Sequence, residues 1–204
     1  MAYELKGEQE SVNRVLADAV AAFERAYVPY VLIGGLASAV HGRPRTSRDI
    51  DVLVRHEDAK RALAALGDAG FETEETNPQW IFKATKDDVQ VDLIFWLKGD
   101  IYLDDEMLER SEERDIDGVR VRVIPPEDLI VVKAVIHDEQ TPRHWGDALG
   151  VIADSELDWD YLARRARKGA RRVLALLLYA QSNDLVVTDE TVRALFDSLY
   201  GEGA

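Results

Sequence analysis

Apolar positions mark out the elements of the chain before any chemistry is considered. Between residues 8 and 27, Val12, Val15, Leu16, Val20, Phe23 and Tyr27 recur at three- and four-residue spacings with acids and arginines between them. That period predicts an amphipathic helix. Pro29 ends it, and Tyr30-Val31-Leu32-Ile33 reads as a short buried strand. Gly34-Gly35 then supplies a tight turn, Leu36 to Val40 the first turns of a short helix, and Gly42 with Pro44 a break into a loop. Ile50 to Val54 predicts a second strand with Asp49 and Asp51 at its start, and Glu57 to Ala69 a helix closed by Gly70. Three strands in series follow at Phe71 to Thr76, Trp80 to Thr85 and Val89 to Trp96, with turns at Asn77-Pro78 and Asp87-Asp88.

The second half changes character. A helix around Asp104 to Arg110 leads to a hairpin over Arg114 to Ile124, whose Asp117-Gly118 pair is a strong two-residue turn. Pro125-Pro126-Glu127-Asp128 is a helix-start signal, and helical patterns cover 127–137, 143–153, 158–167, 170–182 and 189–199. The expectation is an α+β protein: a mixed sheet with helices packed on it over residues 1–124, then a helical region over 125–204.

Composition narrows the classes. With 47% hydrophobic and 31% charged residues the chain reads as an ordinary soluble globular protein. It has no cysteine, which removes disulfides and thiolate zinc sites. No apolar run is long enough to span a bilayer, and the N-terminus lacks a basic-then-apolar leader. A cytoplasmic location with no membrane partner is therefore expected. The net charge of −14 argues against a broad nucleic-acid surface. The one dense basic cluster, Arg164 to Arg172, reads as a solvated helix end, because no stacking aromatics are interleaved with it.

The candidate chemistry lies between Ile33 and Asp51. Asp49 and Asp51 stand two apart on a predicted strand, so their side chains share a face and repel unless a cation lies between them. Oxygen-only ligation suits Mg²⁺ or Mn²⁺. Asp92, a charged residue inside the apolar strand Gln90-Val91-Asp92-Leu93-Ile94-Phe95, is the candidate third carboxylate. Against this stands the bland assignment of Asp49 to a turn and of Asp51 and Asp92 to solvent. Gly34 and Gly35 after a buried strand let backbone N–H groups approach phosphate oxygens, and Ser38 could add a hydroxyl. Arg43, Arg45 and Arg48 could neutralise phosphate charge.

In combination, Gly34-Gly35, a spacer of thirteen residues, Asp49-x-Asp51 and Asp92 on a later strand resemble the signature of the DNA polymerase β-like nucleotidyltransferase superfamily. The string Gly-Gly-Leu-Ala through His-Gly-Arg-Pro-Arg-Thr to Asp49-Ile50-Asp51 is most similar to bacterial nucleotidyltransferases of the AbiEii toxin type. The resemblance implies two divalent metals held by the three acids and a triphosphate cradled by Gly34, Gly35 and Ser38. Asp92 would serve as base for the acceptor, and pyrophosphate would leave. It also implies a triphosphate contact by Lys133 on the helix after the sheet and a role for Asp147 on the next helix. The implied reaction moves a nucleoside monophosphate from an NTP to a hydroxyl of a tRNA, a protein or a small molecule, with a cognate antitoxin as partner if the protein is a toxin. The competing expectation is a module of the same fold that binds nucleotide or a partner without catalysis.

Overall fold

The structure is a computed structural model that describes residues 2–43 and 45–201, with side chains from residue 9 onward. Pro44, expected to help break the chain after Gly42, lies outside the described residues. The chain divides into two compact units. The first comprises Met1–Val40, Pro44–Leu97 and Tyr102–Ile124; the second comprises His41–Arg43, Lys98–Ile101 and Pro125–Ala204.

The first unit is built on one seven-stranded sheet. Its strands are β1 (Tyr30–Leu32), β2 (Asp49–Val54), β3 (Glu72–Asn77), β4 (Ile81–Lys86), β5 (Val89–Ile94), β6 (Glu112–Ile116) and β7 (Val119–Val123), in the spatial order β3-β4-β5-β2-β1-β7-β6. The β2–β5 and β1–β7 pairs are parallel and the others antiparallel, so the sheet is mixed, as the sequence pattern implies. Its central strands carry the core: Val31, Leu32, Ile50, Leu53, Val91 and Leu93 are fully buried. The two edge strands are exposed and acidic, with Glu72, Glu74 and Glu75 on β3 and Glu112, Glu113 and Asp115 on β6. Charge on an edge opposes pairing with another chain's strand, and part of the net acidity is spent there.

Four helices complete this unit: α1 (Ala2–Arg25), α2 (Gly34–Val40), α3 (Ala59–Asp68) and α4 (Asp105–Arg110). The buried face of α1 is the one its spacing predicts, with Val12, Val15, Leu16, Ala19 and Phe23 at most 2% exposed. Tyr27, counted with that stripe in the sequence, is instead 86% exposed. The helix stops at Arg25, and Tyr27 takes a left-handed backbone conformation with φ 51° that turns its ring outward. The Asp117-Gly118 hairpin forms between β6 and β7, and the Asp115 carboxylate accepts from the Gly118 N–H at 2.9 Å.

The second unit contains α5 (Pro126–Ile136), α6 (Arg143–Asp154), α7 (Trp159–Ala166), α8 (Ala170–Ser182) and α9 (Asp189–Tyr200). Asp158 caps α7 and Thr188 caps α9, each accepting from a backbone N–H of the first turn. Helix α5 is apolar on all sides and sits at the centre: Leu129, Ile130, Val131, Val132, Ala134 and Val135 are all buried. Its acids are buried with partners. Glu127 accepts from the Asp158 N–H at 2.7 Å, and Asp128 accepts from the Arg165 guanidinium and the Tyr161 hydroxyl. Among the described residues no helix is long and apolar enough to cross a membrane.

Candidate active site

The Gly-Gly turn follows β1 directly and lies against the start of β2. The Ile33 N–H donates to the Asp51 carbonyl at 2.9 Å, extending the β1–β2 pairing up to the turn. Gly34 adopts φ +69°, and a Cβ built there would lie 1.8 Å from Oδ2 of Asp51. Both conformation and space therefore demand glycine. A Cβ on Gly35 would lie 2.4 Å from Oγ of Ser47 and 3.1 Å from a guanidinium nitrogen of Arg45. The turn, the arginine loop and the Asp-x-Asp pair thus form one packed group. Ser38 faces inward: it is fully buried, and its hydroxyl donates back to the Gly34 carbonyl at 2.7 Å, supporting the turn from behind.

The carboxylates are brought together by strand register. Asp49 and Asp51 alternate on β2 with the buried Ile50 between them, and both are half-buried. The parallel β2–β5 pairing sets Asp51 opposite Asp92 and Asp49 opposite Gln90. All four therefore share a sheet face. Each outer acid is held by a neighbour. Asp49 accepts from the Ser47 hydroxyl at 2.7 Å, and Asp92 accepts from the Gln90 amide at 2.7 Å and faces the Lys83 ammonium at 3.7 Å. Lys83 is the residue of β4 paired with Asp92. Burial raises the Asp92 carboxyl above its ordinary value against the opposing pull of Lys83 and Gln90, and the negative charge of Asp49 adds to the rise. Among the described residues no three His, Asp or Glu side chains close into a single group that could hold a metal ion. The chemistry of the acids still suits one: three carboxylates on a shared face, with Lys83 standing 3.7 Å from Asp92, match a hard divalent cation.

The other residues singled out in the sequence are distributed more widely. Arg45 is half-buried beside Gly35, and Arg48 is exposed on the same loop. Arg43 belongs to the second unit, where its stem packs within 3.0 Å of the Cβ position of Gly150 on α6. Lys133 and Asp147 also lie in the second unit. They are buried and paired with each other at 2.9 Å. Of the basic cluster, Arg165 is buried against Asp128, Lys168 donates to the Asp100 carbonyl at 2.9 Å, and Arg172 donates to the His137 carbonyl.

Three residues around the acids escaped sequence reasoning. Ser47 and Gln90 each stand two positions before a site aspartate; the two-residue alternation reaches Gln90 on β5, whereas Ser47 lies in the loop before β2. Lys83 follows from the hairpin register: with Asp87-Asp88 as a two-residue turn, Lys86 pairs with Val89 and Lys83 with Asp92.

Comparison with known proteins places this geometry. Residues 12–144, more than half of the chain, match the family described as "Nucleotidyl transferase of unknown function (DUF2204)". No curated protein is similar enough in sequence to match. Among solved structures, the antibiotic-resistance factor ANT(2″)-Ia in solution is similar over 86% of this chain and 94% of its own, with 21% identity and a TM-score of 0.58. Its crystal structure with adenylyl-2″-tobramycin is similar over 84% of this chain and 97% of its own, with 21% identity and a TM-score of 0.55. An antigenic nucleotidyltransferase-like protein from Paracoccidioides brasiliensis is similar over 93% of each chain, with 15% identity and a TM-score of 0.51. At these identities the likeness is one of fold. On the family match and the fold together, the chain belongs to the nucleotidyl transferase family of unknown function.

Proposed function

We propose that this chain transfers a nucleoside monophosphate from an NTP to an acceptor hydroxyl at the group formed by Gly34, Gly35, Asp49, Asp51 and Asp92. The observation that carries the reading is the packing of the Asp51 carboxylate into the space that a side chain on Gly34 would fill. That packing sets a bare backbone turn, open to close approach by phosphate, directly against a group of acids that calls for a cation.

In this reading Asp49 and Asp51 hold the metal of the nucleotide, with Asp92 completing the set. Mg²⁺ or Mn²⁺ bound there neutralises triphosphate charge and lowers the pKa of the attacking hydroxyl. Arg45, beside Gly35, meets phosphate oxygens with its guanidinium. The acceptor oxygen attacks the α-phosphorus, the bond from that phosphorus to the β-phosphate bridging oxygen breaks, and pyrophosphate leaves. The acceptor proton passes to Asp92. Positioning and charge neutralisation supply most of the rate. For the acceptor, the net charge of −14 supports a small or cationic molecule over RNA. The same fold is shared with a protein solved with adenylyl-2″-tobramycin, an adenylylated small molecule.

The test is to incubate purified protein with Mg²⁺ or Mn²⁺, each labelled NTP in turn and a whole-cell extract, then to separate RNA, protein and small molecules. Label in the small-molecule fraction is the expected result, and label in RNA would instead support a toxin acting on tRNA. Metal-dependent NTP binding with no label in any fraction would contradict the transfer reaction and leave a nucleotide-binding module.

A further inference from the structure

Two of the site acids are held in the same way. The Ser47 hydroxyl donates to Oδ1 of Asp49 at 2.7 Å, and the Gln90 amide donates to Oδ1 of Asp92 at 2.7 Å. Each donor stands two residues before its aspartate: Gln90 shares the face of Asp92 on β5, and Ser47 lies in the loop that runs into β2. Ser47 is buried against the Gly35 backbone, where a Cβ would strike its oxygen, so its hydroxyl is fixed in place. Gln90 is paired in register with Asp49, so the two devices sit side by side, one where the loop enters β2 and the other on β5. Among the described residues no hydrogen bond or ion pair engages Oδ2 of either Asp49 or Asp92.

We propose that Ser47 and Gln90 are a matched pair of positioning residues, each securing one carboxylate oxygen so that the other is presented to the metal and the reacting atoms. The inference rests on the reading of Asp49 and Asp92 as acids of the transfer site. An aspartate's terminal torsion is broad and roughly two-fold, so an untethered carboxylate on a strand swings through many orientations. One hydrogen bond to Oδ1 removes most of that freedom, and preorganised ligands are what a site needs when small misplacements are costly.

The chemical type of the donors matters as much as their place. A lysine or arginine at either position would pair with the acid and compete with the incoming cation. A hydroxyl and a primary amide orient the acid and leave its full negative charge for the cation. The ammonium of Lys83 stands back at 3.7 Å from the Asp92 oxygen that Gln90 already holds. It therefore adds positive charge on the occupied side of the carboxylate. Asp51 packs against the Gly34 backbone, where a Cβ would lie 1.8 Å from its Oδ2.

The experiment uses the full chain and reads metal binding as well as turnover. Free Mn²⁺ is followed by electron paramagnetic resonance in the presence of α,β-methylene ATP, which binds without transferring. Ser47→Ala and Gln90→Met are each expected to weaken Mn²⁺ binding about tenfold or more, the range for groups that orient metal ligands. They are also expected to lower kcat by a similar factor with KM for the NTP changed by less than about threefold. A merely structural role would not produce the next result: in an Asp92→Asn background, Gln90→Met costs nothing further, and in an Asp49→Asn background the same holds for Ser47→Ala. Variants that bind Mn²⁺ as the wild type does, or losses that persist unchanged in the Asn backgrounds, would overturn the proposal. If the wild type itself shows neither Mn²⁺-dependent nucleotide binding nor transfer, the failure lies with the reading of the site. If the wild type shows both and the two variants match it, only the orienting role fails.

Discussion

Asp49, Asp51 and Asp92 in the first unit and Asp128 and Asp147 in the second are the same side chain under opposite conditions. The first three are half-buried, crowd one face of the sheet, and are held by a hydroxyl, an amide and a packing contact. The other two are buried, and each meets a cation at close range: Arg165 for Asp128 at 2.5 Å, and Lys133 for Asp147 at 2.9 Å. An acid whose charge is fully matched has little left with which to bind a metal. Asp49, held by a neutral hydroxyl, and Asp92, held by a neutral amide with Lys83 at 3.7 Å, keep that capacity in reserve, at a cost in stability. The comparison teaches that the charge left unmatched, rather than the presence of acids and bases, separates a chemical site from a structural one.

Asparagine substitution should break the comparison most clearly. Asp147→Asn leaves the Lys133 ammonium buried without its carboxylate, and stability should fall by about 3–5 kcal/mol in a denaturant titration. Gly34→Ala comes next. It forces a side chain into a left-handed position and onto the Asp51 carboxylate, so a loss of about 1–3 kcal/mol is expected together with loss of nucleotide binding.

The pH dependence of the second unit should be smaller. Burial, with the nearby charges of Lys133 and Arg143, pushes His144 down to about 4, while Asp147 pulls the other way and His137 adds to the fall. Because the folded value lies below the unfolded value of 6.5, the unfolded chain takes up the proton first. The contribution is therefore complete above about pH 6.5 and is lost as pH falls toward 4. The ring is only half-buried, so solvent screening trims the effect to about 1 kcal/mol. Melting temperatures across this range should flatten in His144→Gln. The smallest shift should come from Asp92→Asn. Burial and Asp49 already disfavour its charge, so the melting temperature should stay level or rise while transfer is lost. A large fall there would erase the distinction between the two groups of acids.

Much of this was legible in the sequence, for reasons that differ by element. The stripe of α1, the Asp117-Gly118 hairpin and the capped helices are local signals, and local periodicity reports them well. Asp49 and Asp51 were legible because a strand's two-residue period is fixed. The placement of Lys133 was not, although a hint was present. Leu129 to Val135 is apolar all round, the mark of a buried helix, so a lysine within it had to find a buried partner. That the partner is Asp147, like the pairing of Arg165 with Asp128, depends on packing between separate helices, and spacing along the chain carries no trace of it.

The central claim, nucleoside monophosphate transfer at Asp49, Asp51 and Asp92, is tested most directly by comparing two labels of one nucleotide. Purified protein is given Mg²⁺, the same extract and ATP, or whichever NTP is active, labelled at either the α- or the γ-phosphorus. The account predicts that the acceptor takes the α-label alone, that pyrophosphate appears in equal amount, and that Asp49→Asn with Asp51→Asn abolishes both at an unchanged melting temperature. An acceptor carrying the γ-label, or α-label transfer that survives the double substitution, would contradict it.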